Sequence, residues 1–180
     1  MNGSESDSTG VVAPDRRTLV LEAFCATHGR AWTAFARARG LTPRQAEAVT
    51  EALRERLAAC LEEVMGTAVP AAEAWRYLKE EIAAAAFAAP PPGPLWKEAV
   101  RAALERMRIN LGIWVDEYGT YEAILGLPER QQEVIVLRYM LDLPSATIAE
   151  YLDTTVENVT ALAYRGRNRL EQKLRRRSGR

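Results

Sequence analysis

Apolar residues recur along this chain at steps of three and four, and alternating runs rich in Val, Ile and Thr are nearly absent. That period belongs to helices buried along one stripe, so the pattern predicts an all-α protein. From Arg17 to about Arg39, Leu19, Leu21, Phe24, Ala31, Trp32 and Phe35 mark the apolar positions of a first helix. Gly40 suits its C-terminal stop, Thr42 the N-cap of the next helix and Pro43 its first position. From Pro43 to about Met65, Val49, Leu53, Leu57, Leu61 and Val64 form one stripe. "GTAVP" interrupts, and a third helix from about Ala71 to Ala88 carries Trp75, Leu78, Ile82 and Phe87.

"APPPGP", Ala89 to Pro94, cannot continue a helix and reads as a semi-rigid linker between two helical halves. Trp96, Val100, Leu104, Met107, Leu111, Trp114 and Tyr118 then recur at steps of three and four, predicting a long amphipathic helix that packs into a core. Three shorter pieces follow. "YEAILGLP" is brief. "ERQQEVIVLRYML" starts after Pro128 and offers Val134, Leu137, Tyr139 and Leu141. "PSATIAEYL" is read as capped by Ser145, with Ile148, Ala149 and Leu152 turned inward. The turn "DTT" leads to a last helix from about Val156 to Arg175, with Thr155 as its N-cap. The expected organisation is a disordered tail over 1–15, a helical domain over 16–89, the Pro-rich linker at 90–94, a connecting helix at 95–118, and a C-terminal domain at 119–177.

Composition narrows the function. The chain has 24 basic and 24 acidic residues, so a nucleic-acid binder of this kind must cluster its cations. They do cluster: from Arg165 to Arg180 there are eight basic residues and one acid. Cys25 and Cys60 fall at unrelated places and read as two thiols in a reducing compartment, the cytoplasm. The lone histidine, His28, reads as a polar surface or core-edge residue. Glu62 and Glu63 are neighbours on a helix and point apart, so they form a solvated face and no catalytic pair. There is no glycine-rich phosphate loop, no metal-ligand spacing and no nucleophile–base pair. No enzyme, cofactor or metal is expected. No apolar run is long enough for a membrane span, and the polar, acidic start lacks the order of a signal peptide.

The last two helices and their three-residue turn have the proportions of a helix-turn-helix. On the second helix, Val159, Leu162, Gly166 and Leu170 share the inward face. Val156, Glu157, Asn158, Thr160, Ala161, Tyr164 and Arg165 lie on the outward side, next to the cap Thr155. In this motif the N-terminal part of the second helix meets base edges in the major groove. Glu157 matches a cytosine amino group, Asn158 matches adenine, and Thr160 and Ala161 match a thymine methyl. Arg165, Arg167 and Arg169 suit phosphate, as do Lys173, Arg175, Arg176 and Arg177, unless that last turn only complements the helix dipole.

"LPERQQEVIVLRYMLDLPSATIAEYLDTTVENVTALAYRGRNRL", Leu127 to Leu170, resembles region 4 of the sigma-70 family, in particular its small extracytoplasmic-function group. The resemblance rests on Leu127–Pro128, Val134, Leu137–Arg138–Tyr139, Ile148–Ala149, Val159, Arg165, Arg167 and Leu170. It implies docking on the −35 element of double-stranded promoter DNA and on the flap of core RNA polymerase, and it leaves room for an anti-sigma protein. The N-terminal half is similar to region 2 more faintly, through Phe24, His28, Trp32 and Arg37, "QAEAVTEAL" and "AEAWRYL". Departures are concentrated there. The family's acidic pair has become Glu47–Ala48, no aromatic residue lies between Phe35 and Trp75, and "KEEIAAAAFAA" follows where basic residues are usual. Captured bases need a π-face to stack on, so strand-opening residues are not transferred to this half. Many relatives also carry Lys or Arg where Thr160 and Leu162 stand. Two readings follow from the resemblance: an initiation factor that directs core polymerase to promoters, or a sigma-like regulator that binds but cannot initiate alone.

Overall fold

The structure, a computed structural model, describes residues 15–88 and 122–178. The tail, the Pro-rich linker and the helix expected over 95–118 lie outside the described residues, apart from Asp15. Among the described residues the regular structure is all helical, without a strand. In order these are α1 (Arg16–Ala38), α2 (Pro43–Ala59), α3 (Leu61–Met65), α4 (Pro70–Ala88), α5 (Glu129–Ile135) with a π-helical extension (Val136–Met140), α6 (Ser145–Tyr151) and α7 (Val156–Ser178). A helical turn at 122–125 precedes α5.

The predicted end of α1 and start of α2 hold for local reasons. Gly40 takes φ 99°, a left-handed conformation that suits a residue without Cβ. It lets Leu41 N–H reach back to the Ala36 carbonyl. Thr42 and Gln45 close a reciprocal capping box, with Pro43 in the first turn. Asp15 caps α1 by accepting from Thr18 N–H at 2.7 Å, and this bond holds its carboxyl below the usual range.

The helix expected to run unbroken from Pro43 to Met65 is interrupted at Cys60. Arg17 explains the break. Its guanidinium reaches across from α1 and donates to the Ala58 carbonyl at 2.7 Å and to Ala59 at 3.4 Å. A side chain that takes carbonyls from the i→i−4 ladder bends the helix where it inserts.

Helix α5 is the centre of the molecule. Residues 131–137 are buried without interruption, so this stretch is covered on all sides, while Glu129 and Arg130 in the first turn stay exposed. α7 packs along one side, while α1 touches its π-helical extension and α4 packs on α6. In the extension, Leu141 N–H bonds to the Val136 carbonyl five residues back, which widens the last turn. Three consecutive polar residues are buried here, and each meets a cation from a different element. Gln131 accepts from Arg169 of α7 at 3.2 Å, Gln132 from Arg39 at the end of α1, and Glu133 faces Lys79 of α4 with N···O 3.1 Å. The Lys79–Glu133 contact lacks hydrogen-bond geometry, so it is a Coulombic pair around a carboxylate that is 1% exposed.

The apolar core is continuous across both halves of the chain. Its seam is aromatic. Tyr151 of α6 stacks on Trp75 of α4, with ring centres 4.8 Å apart and planes 8° from parallel. Its hydroxyl lies 3.0 Å from His28 Nδ1. His28, expected at the surface or core edge, is therefore buried, and its imidazole sits between Phe24, Trp32 and Tyr151. Burial pushes its pKa below the ordinary value, against a smaller opposing pull from Glu150. Burial likewise raises the Tyr151 phenol to about 12. Leu19, expected in the core, is 50% exposed, within an N-terminal stretch of α1 in which residues 16–20 are all exposed.

Candidate nucleic-acid interface

Helices α6 and α7 meet through a turn built for a sharp change of direction. Asp153 adopts φ 46°, a left-handed conformation that Asp tolerates better than most residues. It allows Thr154 N–H to bond to the Ala149 carbonyl and Asp153 N–H to the Glu150 carbonyl, which closes α6. Arg130 Nη1 adds a bond to the Leu152 carbonyl at 3.1 Å. Thr155 then caps α7 as predicted, its hydroxyl accepting from Asn158 N–H at 3.2 Å. Ser145 does not act as the cap of α6. Its hydroxyl instead accepts from Arg138 at 3.3 Å.

The inward face of α7 carries Val159, Ala163, Gly166, Leu170 and Leu174, all buried. Leu162, expected there, is half-buried, and Ala163 takes the inner place. Gly166 marks the closest approach to α5: a Cβ at this position would lie 2.8 Å from Ile135 Cγ1. A helix with a glycine here can lie directly on Ile135, and its opposite side is thereby held outward. On that side Thr155, Val156, Glu157, Asn158, Thr160, Ala161, Tyr164 and Arg165 are all exposed. Residues 120–170 match the family model described as Sigma-70, region 4. This segment is similar to region 4 of the sigma-70 family. No curated protein matches the chain.

Within region 4 the side chains singled out from sequence divide by what they already hold. Asn158 donates one amide N–H to the Thr154 hydroxyl at 2.8 Å. The Glu157 carboxylate is kept below its ordinary pKa by its own backbone N–H and the Thr155 hydroxyl. Both residues thus belong to the cap as well as to the outward face. Arg167 pairs with Glu171 at 3.0 Å, Arg169 holds Gln131, and Lys173 donates to the Gly126 carbonyl. Arg165 bonds only back to the Ala161 carbonyl through Nε, at 3.3 Å. Among the described residues Arg165, Arg175 and Arg176 enter no ion pair.

A groove of about 400 Å³ lies at the seam between α4 and the turn after α6, lined in part by Arg76, Lys79, Arg130 and Asp153. Its cations are already committed: Arg76 to Glu73 and Glu80, Lys79 to Glu129 and Glu133, Arg130 to Leu152. The outward face of α7 is therefore the better candidate for a polyanion. Sequence reasoning missed the buried polar triple Gln131–Gln132–Glu133, since only the tertiary arrangement brings Arg169, Arg39 and Lys79 to it.

Proposed function

We propose that this chain is a transcription initiation factor of the sigma-70 kind, acting in the cytoplasm by binding and not by catalysis. Region 4 docks on a −35-type element in duplex promoter DNA, and the chain associates with core RNA polymerase. The observation that carries this reading is the division of α7: one face builds the core against Ile135, and the other is exposed along its whole N-terminal half. The DNA contacts proposed are Thr155, Val156, Glu157, Asn158, Thr160, Ala161, Tyr164, Arg165, Arg167 and Arg169. Arg165 is the main phosphate ligand among them, because Arg167 and Arg169 must share their guanidinium groups with Glu171 and Gln131. No helix among the described residues is long and apolar enough to cross a membrane.

A second reading, a sigma-like regulator that cannot open promoters alone, is favoured by one feature of the N-terminal half. Its described aromatic rings are not exposed: Trp32, Phe35, Trp75 and Tyr77 are buried and Phe24 is half-buried. Tyr77 in particular lies beneath the guanidinium groups of Arg56 and Arg76, at 3.8 and 4.5 Å from its ring centre. In vitro transcription with purified core polymerase separates the two. Promoter-specific transcripts made with this protein alone support the initiation factor. Specific DNA binding without transcripts supports the regulator. Absence of DNA binding by the full chain removes both.

A further inference from the structure

Val156, Thr160 and Tyr164 lie four residues apart on α7 and so form one line along the helix, with Ala161 beside it. All four are exposed, Val156 at 42% and Tyr164 at 67%. Exposed apolar surface that is contiguous, unlike a scattered leucine, marks a binding face. The polar groups around it are largely engaged. The Thr160 hydroxyl donates to the Val156 carbonyl at 3.0 Å, so the methyl is what this side chain has left to offer. Asn158 is tied to Thr154, Glu157 to its own cap, and Arg165 Nε to Ala161. The line thus presents methyl groups and a phenol ring where a reader of hydrogen-bond patterns presents an open fork.

Resting on the DNA-binding reading above, we propose that α7 selects its site through the C5 methyl groups of thymine, packed against Val156, Thr160, Ala161 and Tyr164. Among the four bases, thymine alone displays an apolar group in the major groove. The occupant is DNA and not an apolar protein groove, because Arg165, Arg175 and Arg176 continue from this line as exposed cations without ion-pair partners among the described residues. A polyanion with apolar points on its groove floor matches both features. 5-Methylcytosine carries the same methyl and is the one competing source of it.

The test uses the full chain. Binding sites are selected from a random duplex pool, and Kd is measured by fluorescence anisotropy on the selected duplex, on the same duplex with uracil for thymine, and with 5-methylcytosine for cytosine. Uracil is expected to weaken binding roughly three- to fourfold per contacted position, the weight of one buried methyl group. 5-Methylcytosine is expected to change nothing. Thr160→Ser, which keeps the hydroxyl and removes only the methyl, is expected to erase the thymine–uracil difference at one position while leaving the helical circular dichroism intact. Equal affinity for the uracil duplex at every position overturns the proposal. Affinity raised by 5-methylcytosine and indifferent to uracil overturns it in favour of the methylated base. If selection yields no preferred duplex, the DNA-binding reading itself falls, and that failure is visible before any base analogue is introduced.

Discussion

On α4, Arg76 holds Glu73 and Glu80, Lys79 reaches Glu129 and Glu133, and Arg56 of α2 completes the set by pairing with Glu80 and Glu81. On α7, the one acid after Glu157 is Glu171, and it pairs with Arg167. Both helices are long and arginine-bearing, yet one spends its charge inside the molecule and the other keeps part of it available. The difference lies in the acids. "KEEI" after Tyr77 gives α4 neighbours of opposite sign within reach, whereas "RGRNRLEQKLRRR" gives α7 far too few. Exposed ion pairs of the α4 kind add little stability each. Their larger effect is to leave that helix no field with which to attract phosphate.

This contrast predicts that substitutions on α4 act on folding and substitutions on the outward side of α7 act on binding. The largest effect is expected from Trp75→Ala, which empties a fully buried site and removes the stacking partner of Tyr151. Chemical denaturation is expected to show a loss of about 3–5 kcal/mol. A loss under about 1 kcal/mol means that the seam between the halves contributes little to stability. Lys79→Ala comes next, because it leaves the buried Glu133 carboxylate with only the more distant Arg130 guanidinium, at 3.9 Å. Removing one partner of a buried pair costs about 3–5 kcal/mol, and the partial exposure of Lys79 places the expectation at the lower end, about 3 kcal/mol. The double variant Lys79→Ala, Glu133→Gln is expected to recover part of this.

His28 supplies a pH-dependent version of the same contrast. Its folded pKa lies below its unfolded value of about 6.5, so the unfolded chain binds the proton more readily. The stability tied to neutral His28 is therefore present above about 6.5 and is lost as pH falls from there through the depressed folded pKa. The slope of unfolding free energy against pH is bounded by one proton, about 1.4 kcal/mol per pH unit. Denaturation at pH 7.5, 6.5 and 5.5 checks this, and a His28→Gln variant is expected to flatten the profile in that window. The smallest stability effect belongs to Arg165→Ala, within about 0.5 kcal/mol, since its side chain is exposed and bonds only to its own helix. Its effect on DNA is expected to be larger: weaker binding across sequences, with a salt slope reduced by about one. An unchanged salt slope would remove Arg165 from the phosphate contacts.

Much of the local structure was legible because the signals are local. Thr42–Pro43–Gln45, Gly40 and Thr155 each satisfy or terminate a helix within a few residues, so their roles survive any packing. The same is true of the helix-turn-helix, whose turn and inward spacing are written between Ile148 and Leu170. The interruption at Cys60 was not legible, because it depends on Arg17, more than forty residues earlier. His28 was misplaced for the same reason. Nothing near it in sequence announces Tyr151, which is 123 residues away.

By itself, then, the sequence determined that the chain is helical, that its last two helices form a helix-turn-helix similar to that of sigma-70 region 4, and that its cations accumulate at one end. Periodicity, caps and charge runs are short-range properties, and the free energies behind them are settled within a turn or two of helix. The tertiary structure decided which of those side chains remain available. Arg169 and Lys173 look like phosphate ligands in one dimension but hold Gln131 and Gly126 in three. Leu162 looks like a core residue and is only half-buried, while Ala163 takes the inner place. A buried polar group must find its partner inside the fold, and that requirement, which no local pattern encodes, fixes how the charges of this protein are divided between holding it together and facing outward.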